Sequence, residues 1–417
     1  MPSTLTWLDY SERDRRRALD VVDLFRERGT LDELGIGAVR DSFSDLLFPG
    51  TSTIQTRACY FLLIPWTCLR LEKGRVSSSA APDRADWEER RLNERLLAGG
   101  ETWGLFGASA GAALQRLPSA VYWGGLGTWG IRLFPGARDA YYRSLDAFYR
   151  KVDRSRSTEV DPEGRRGAPA NWHPHVPEPP AGFPDEVSVA LRRGDAEYLR
   201  DRIQTLHAGT LLAELVARAE PTDLAAEAAW DLAGWLDLPP RVREQLHHGK
   251  LFAIVMHGAA LLYNLMLAEA LGHEEWIERY RGKLAAWAGE VGAAGAMGEM
   301  GGMGAELAAW DLGALWRTVE PAERSIRFPT RAFVERWVGI VRSEGPAPAF
   351  REGSPARPLI RDREARLKGG RARLQHRRHL ELWGGASGAD RLDFRWRPAR
   401  RLLEDVFDGL AREREEA

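Results

Sequence analysis

Apolar positions along the chain recur every three to four residues and seldom alternate, the pattern of helices packed on a core. "SERDRRRALDVVDLFRERG" opens on Ser11 as a cap and ends at Gly29, with Ala18, Val21, Val22, Leu24 and Phe25 in helical register. "LGIGAVRDSFSDLLFPG" predicts a second helix, stopped by Pro49-Gly50. The run from Gln55 to Leu71 predicts a third, kinked or ended by Pro65. "WEERRLNERLLAGG" and "ARDAYYRSLDAFYRKVDR" read as amphipathic helices. Further on, 195–218, 224–236, 241–271 and 274–291 are helical in pattern, and "PTRAFVERWVGIVRSE" has its proline in the first turn. "GIRLF" and "RLDFRW" are the places for short strands. No strand–helix alternation supports a parallel sheet. The pattern predicts a mainly α, multi-helix protein with few short strands. It also predicts a helix-turn-helix-like unit in "AGAALQRLPSAVYWGGLGTWGIR", with Ser119 capping the second helix.

Two proline-rich stretches punctuate this pattern, since proline supports neither helix interior nor central strand. They divide the chain into an N-terminal helical domain (1–153), a linker (154–184), a central helical domain (185–343), a second linker (344–358) and a basic C-terminal segment (359–417). "VGAAGAMGEMGGMGAE" interrupts the central domain as a Gly/Ala/Met loop; with no Cys or His in it, its methionines do not make a soft-metal site.

The 417 residues, 44% of them hydrophobic, suffice for a sizeable core, and 29% charged residues fit a folded chain. The two cysteines, Cys59 and Cys68, lie in or beside one apolar stretch. They read as buried reduced thiols and point to a cytoplasmic location. "MPSTLTWLDYSERDRRR" has no apolar signal-peptide core. The apolar run 251–271 is long enough to span a bilayer. However, His257, Asn264 and Glu269 would be expensive in lipid, so it reads as a buried core helix and no membrane is expected.

Catalytic motifs are thin. Gly107-Ala-Ser109-Ala-Gly111 matches the G-x-S-x-G nucleophile elbow, but the flanks carry no doubly wound sheet. There is no C-x-x-C, no H-E-x-x-H and no Walker loop; adjacent His247 and His248 would point about 100° apart on a helix. No metal, cofactor or catalytic set is therefore assigned, and the reading leans away from an enzyme. A hydrolase at Ser109 or a nuclease of unrecognised type is the enzymatic alternative.

Charge carries more. The formal net charge is −1, yet Arg351–Arg401 holds 15 Lys and Arg against 6 Asp and Glu, a local +9 that leaves −10 for the rest. Such asymmetry suggests a polyanion partner. Arg366, Lys368, Arg371, Arg373, Arg377 and Arg378 interleave with Leu367, Leu374 and Leu380, as if the leucines were buried and the cations presented. Arg395 and Arg397 flank Trp396, which with Phe394 would stack on bases or pack. Arg116 adds a cation at the helix-turn-helix-like unit. Arginine suits phosphate because its planar fork donates two hydrogen bonds together. The competing readings are a solvated basic helix, or arginines paired with the acidic remainder of the chain. Gln55 and Arg57, inside "FPGTSTIQTRACYFLLIPW", read as polar anchors of a buried helix start. Arg57 would pair with an internal carboxylate or backbone carbonyls, or else contact nucleic-acid phosphate.

"TWLDYSERDRRRALDVVDLF", "RDSFSDLLFPGTSTIQTRACYFLLIPW", "RLPSAVYWGGLGTWGIR" and "LIRDREARLKGGRARL...LELWGGASGADRLDFRW" together resemble an uncharacterised bacterial domain-of-unknown-function family, over nearly the whole chain. The resemblance implies no assigned enzymatic activity and a place in anti-phage, foreign-DNA defence loci beside helicases and phospholipase D-like nucleases. It also implies a cation where this chain has Cys59, so any ligand contact made there by relatives is weakened here. The expectation is a non-catalytic accessory protein that binds duplex or single-stranded DNA and works with a helicase or nuclease partner. The alternative is a scaffold of the same system that docks an acidic protein.

Overall fold

The computed structural model describes residues 32–99, 104–106, 116–157, 169–292, 302–320 and 326–413. The expected helix from Ser11 to Gly29, the Ser109 motif and most of the Gly/Ala/Met stretch lie outside these residues. Among the described residues the protein is mainly α, with fifteen α-helices and no strand. They are α1 (Gly37–Leu47), α2 (Tyr60–Lys73), α3 (Ala81–Ala98), α4 (Pro118–Thr128), α5 (Arg138–Ser157), α6 (Arg193–His207), α7 (Leu211–Arg218) and α8 (Pro240–Leu271). After these come α9 (Glu274–Gly292), α10 (Met303–Ala309), α11 (Leu312–Val319), α12 (Phe328–Glu344), α13 (Ala356–Lys368), α14 (Arg377–Leu380) and α15 (Trp396–Ala411).

Two compact units form, each from two separated stretches of chain. One joins Met1–Phe43 to His247–Leu392; the other joins Ser44–Leu246 to Asp393–Ala417. The proline-rich stretches 154–184 and 344–358 each fall inside a unit. Within the first stretch, residues 158–168 lie outside the described residues, and the irregular backbone of 169–184 is itself packed: Trp172 is buried, and Trp66 Nε1 donates to Pro177 O at 2.6 Å.

In the first unit the apolar part of α8 is the core. Its most apolar window is 89% buried. The polar residues that make it costly in lipid all have partners here. Asn264 exchanges two hydrogen bonds with the Ser387 backbone, both at 2.9 Å, His257 Nε2 lies 3.1 Å from Ala389 O, and Glu269 pairs with Arg357. Two tryptophans from neighbouring helices donate to its backbone: Trp287 to Ile254 O and Trp337 to Val255 O.

In the second unit α15 packs on α6 and α7. An added Cβ at Gly409 would meet the Ala196 Cβ at 2.7 Å, so the approach of α15 to α6 requires that glycine. The turn after α1 is equally constrained. Gly50 has φ +79°, and a side chain there would strike Trp129, whose Nε1 donates to Pro49 O at 2.9 Å.

The residues between this turn and α2 do not form the helical turn expected from Gln55. Gln55 folds back, donating to Gly50 O and accepting from Ser52 N–H. The Tyr122 hydroxyl accepts the N–H groups of Thr56 and Arg57 at 2.8 and 3.0 Å and donates to Arg57 O. Asp405 accepts the Ala58 N–H at 2.7 Å and the Arg57 Nε–H at 3.0 and 3.1 Å. Tertiary partners satisfy donors that a longer helix would have used, so α2 starts at Tyr60. Pro65 neither ends nor replaces it; α2 continues to Lys73.

Three other expectations differ. Ser119 does not cap α4: its N–H donates to Glu89, its hydroxyl accepts from Arg138, and Leu117 occupies the cap position. The exposed positions of α4 are Ala120, Gly124 and Thr128, too short to reach base edges, while Tyr122 and Trp123 are core. The expected strands reduce to one antiparallel bridge, Arg132 with Trp172. At "RLDFRW", Phe394 and Arg395 take positive φ and make a turn instead. Residues 224–236 form only 3₁₀ turns, because α15 claims the Ala226 carbonyl through Trp396 Nε1 and Arg400.

The Arg57–Asp405 pair is buried on both sides. Burial pushes the Asp405 carboxyl up, and Arg57 with the Ala58 N–H only partly offsets it. Removing one partner leaves an uncompensated buried charge. Arg57→Ala is expected to lower unfolding stability by about 3–5 kcal/mol in urea titration. Tyr122→Phe, which orphans two N–H groups, is expected to lower it by about 1–3 kcal/mol. Losses near zero in both would contradict this role for the turn.

Candidate nucleic-acid interface

The basic C-terminal residues split into two populations. In the first unit Lys368, at the end of α13, donates to Glu33, to the Tyr263 hydroxyl at 2.8 Å and to Glu364 at 3.2 Å. Arg373 Nη1 reaches Glu33 Oε1 at 2.7 Å and Ser387 Oγ at 3.1 Å. Glu364 is fully buried. It accepts from the Tyr263 hydroxyl at 2.6 Å and from the backbone N–H groups of Arg373 and Leu374 at 2.9 and 3.0 Å. Arg363, also buried, donates to the carbonyls of Leu34, Gly35 and Pro329. These cations are internal ties: they hold the 364–374 turn against α8 and against residues 33–35.

Arg366, Arg371 and Arg378 face the other way. They lie on the last turn of α13, the following 3₁₀ turn and α14; all three are exposed and make no ion pair with a described residue. Arg361, one and a half turns before Arg366 on α13, is exposed in the same manner. Arg377 is exposed but engaged, with Glu381 at 2.9 Å and Ala270 O at 3.1 Å. The interleaved leucines only partly behave as expected. Leu380 is buried and Leu374 half-buried, but Leu367 is 44% exposed.

The remaining assigned cations belong to the second unit. Arg57 is held by Asp405, as the anchor reading requires. Arg395 pairs with Asp45 at 2.7 Å and donates to Thr51 O at 2.9 Å. Arg397 is exposed at the start of α15, and Arg116 is half-buried just before α4. Phe394 and Trp396 are core residues. The counter-ions Glu33, Glu364 and Asp405 were not singled out in the sequence. For Asp405 there is a signal, an acidic residue within an otherwise apolar helical face between Leu402, Leu403, Val406 and Phe407; Glu33, in a turn, and Glu364, in a charged run, carry none.

Elsewhere in the second unit, Cys59, Leu62, Leu63, Trp66, Phe183 and Arg192 help to line a cleft of about 430 Å³. Arg192 is already spoken for by Asp195 and Glu178 O, and burial pushes the Cys59 thiol far up, away from the reactive thiolate. Among the described residues no group of three or more His, Cys, Asp or Glu is placed to hold a metal ion.

Glu33 gives the network a pH signature. Burial alone would raise its carboxyl above the ordinary 4.5, but Lys368 and Arg373 beside it outweigh burial and hold it lower. A depressed native value adds stability that is complete above the unfolded value and is lost as pH falls below about 4.5. Glu33→Gln is expected to destabilise the protein at pH 7 and to flatten the decline in stability below pH 4.5, read from urea midpoints across pH. An unchanged acid limb would contradict the pairing.

No curated protein matched the chain, and no solved structure matched it. Residues 2–409 match the model of a family of unknown function, DUF6361. With nearly the whole length covered, the chain belongs to that family.

Proposed function

We propose that this protein is a non-catalytic nucleic-acid-binding component of bacterial defence against phage or other foreign DNA, acting in the cytoplasm with a helicase or nuclease partner. The observation that carries the binding part is the outward set Arg361, Arg366, Arg371 and Arg378. Within one short stretch, neighbouring cations are neutralised by buried carboxylates while these four stay solvated without a counter-ion among the described residues. Unpaired guanidinium groups concentrated on one segment are what phosphate contacts require. The defence setting and the partner rest on the resemblance of the chain's long sequence phrases to a bacterial family.

A second reading is favoured by one feature. Leu367 and Leu382, 44% and 77% exposed, stand among the arginines. Exposed apolar side chains beside cations suit an acidic, amphipathic protein segment better than a phosphate backbone. In this reading the protein is a scaffold of the same system.

Purified protein is expected to bind DNA at low salt and to lose it steeply as salt rises, through counterion release. Arg366→Glu, Arg371→Glu and Arg378→Glu together should weaken binding by about tenfold or more while leaving the urea midpoint unchanged. DNA binding absent at low salt, with capture of an acidic protein surviving nuclease treatment, would favour the scaffold.

A further inference from the structure

Resting on the nucleic-acid reading, we infer that this surface grips the phosphate backbone of a duplex and reads no base. Single-strand binders without sequence preference combine cations with exposed aromatic rings on which bases stack. Among its described residues the basic segment exposes no Trp, Tyr or Phe ring, and its one exposed imidazole, His376, is a single small ring and not a stacking platform for successive bases. Trp383, Phe394 and Trp396, which its sequence places among the arginines, are all buried, at 3% exposure or less. What remains outward on α13 is Pro358, Arg361, Asp362, Arg366 and Leu367, charge and aliphatic carbon alone.

Base readout in a duplex needs a rigid element in the major groove that presents amide or guanidinium groups to base edges. α14 is only four residues long, about one turn. The exposed amide of Gln375 and the exposed imidazole of His376 lie in the irregular link before it, not on a helix. α13 is longer, but its last turn is tied inward by Lys368 and Glu364. The cations are thereby spread over the middle and the end of α13, a 3₁₀ turn and a short helix, an arrangement suited to tracking phosphates. A duplex offers the higher charge density to such a surface and releases more counterions per contact than a single strand does.

The test is fluorescence anisotropy of the full chain with two duplexes of unrelated sequence and the single strands of each, all of one length, across a salt series. The two duplexes are expected to bind alike, without the several-fold differences that even one mismatched base contact produces, and each single strand more weakly. The logarithmic salt slope on duplex is expected near about −3.6, one contact for each of the four arginines. Each Arg→Gln substitution at 361, 366, 371 or 378 should reduce it by about one. A tenfold preference between duplexes, or tighter binding to single strands, would overturn the inference while leaving nucleic-acid binding intact. No binding to any of them at low salt would remove the proposed function itself, and this inference with it.

Discussion

Burying a charge is costly unless an opposite charge and hydrogen bonds meet it, and both units of this protein are closed by such encounters. Each unit is assembled from stretches of chain far apart in sequence. In one, Arg57 and Asp405 meet across 348 positions, and Arg395 and Asp45 meet across 350. In the other, Glu33 receives Lys368 and Arg373 across 335 and 340 positions. Apolar burial drives collapse without fixing which distant segment packs where. A buried ion pair does, because a wrong partner leaves the charge unpaired.

This constraint sorts the basic C-terminal residues. A segment carrying +9 would repel itself if all its cations were solvated. Instead, several are drawn inward as ties, and the turn they hold presents the rest. On the regular helix α13, Arg366 stands two residues before the inward Lys368 and so falls on the opposite side, exposed. Structure and charge display are thus one device: the ties fix the backbone on which the outward arginines stand.

Much of this was legible in the sequence where information is local. The period of apolar residues gave α1, α5, α8, α9 and α12 close to their ends, and Pro49-Gly50 stopped α1 where expected. The polar residues in 251–271 argued for a core helix, and each has an internal partner. What failed depended on distant partners. The start of α2 is set by Tyr122 and Asp405, and 224–236 loses its helix because Trp396 and Arg400 take the Ala226 carbonyl. Proline content marked the irregular backbone of 169–184 but did not say that this backbone is packed. For the basic segment, composition located the cations. Nothing local separates Lys368 from Arg366 or Arg373 from Arg371; only the position of Glu33 and Glu364 does so.

The central claim is that neighbouring cations in one segment have separate tasks, and a crossed comparison tests it directly. The double variant Lys368→Gln with Arg373→Gln and the triple variant Arg366→Gln with Arg371→Gln and Arg378→Gln would each be measured for urea midpoint and for DNA affinity at low salt. The account predicts that the inward pair loses stability and that the outward triple loses affinity at unchanged stability. Equal losses of affinity from both variants, with stability untouched in either, would contradict it.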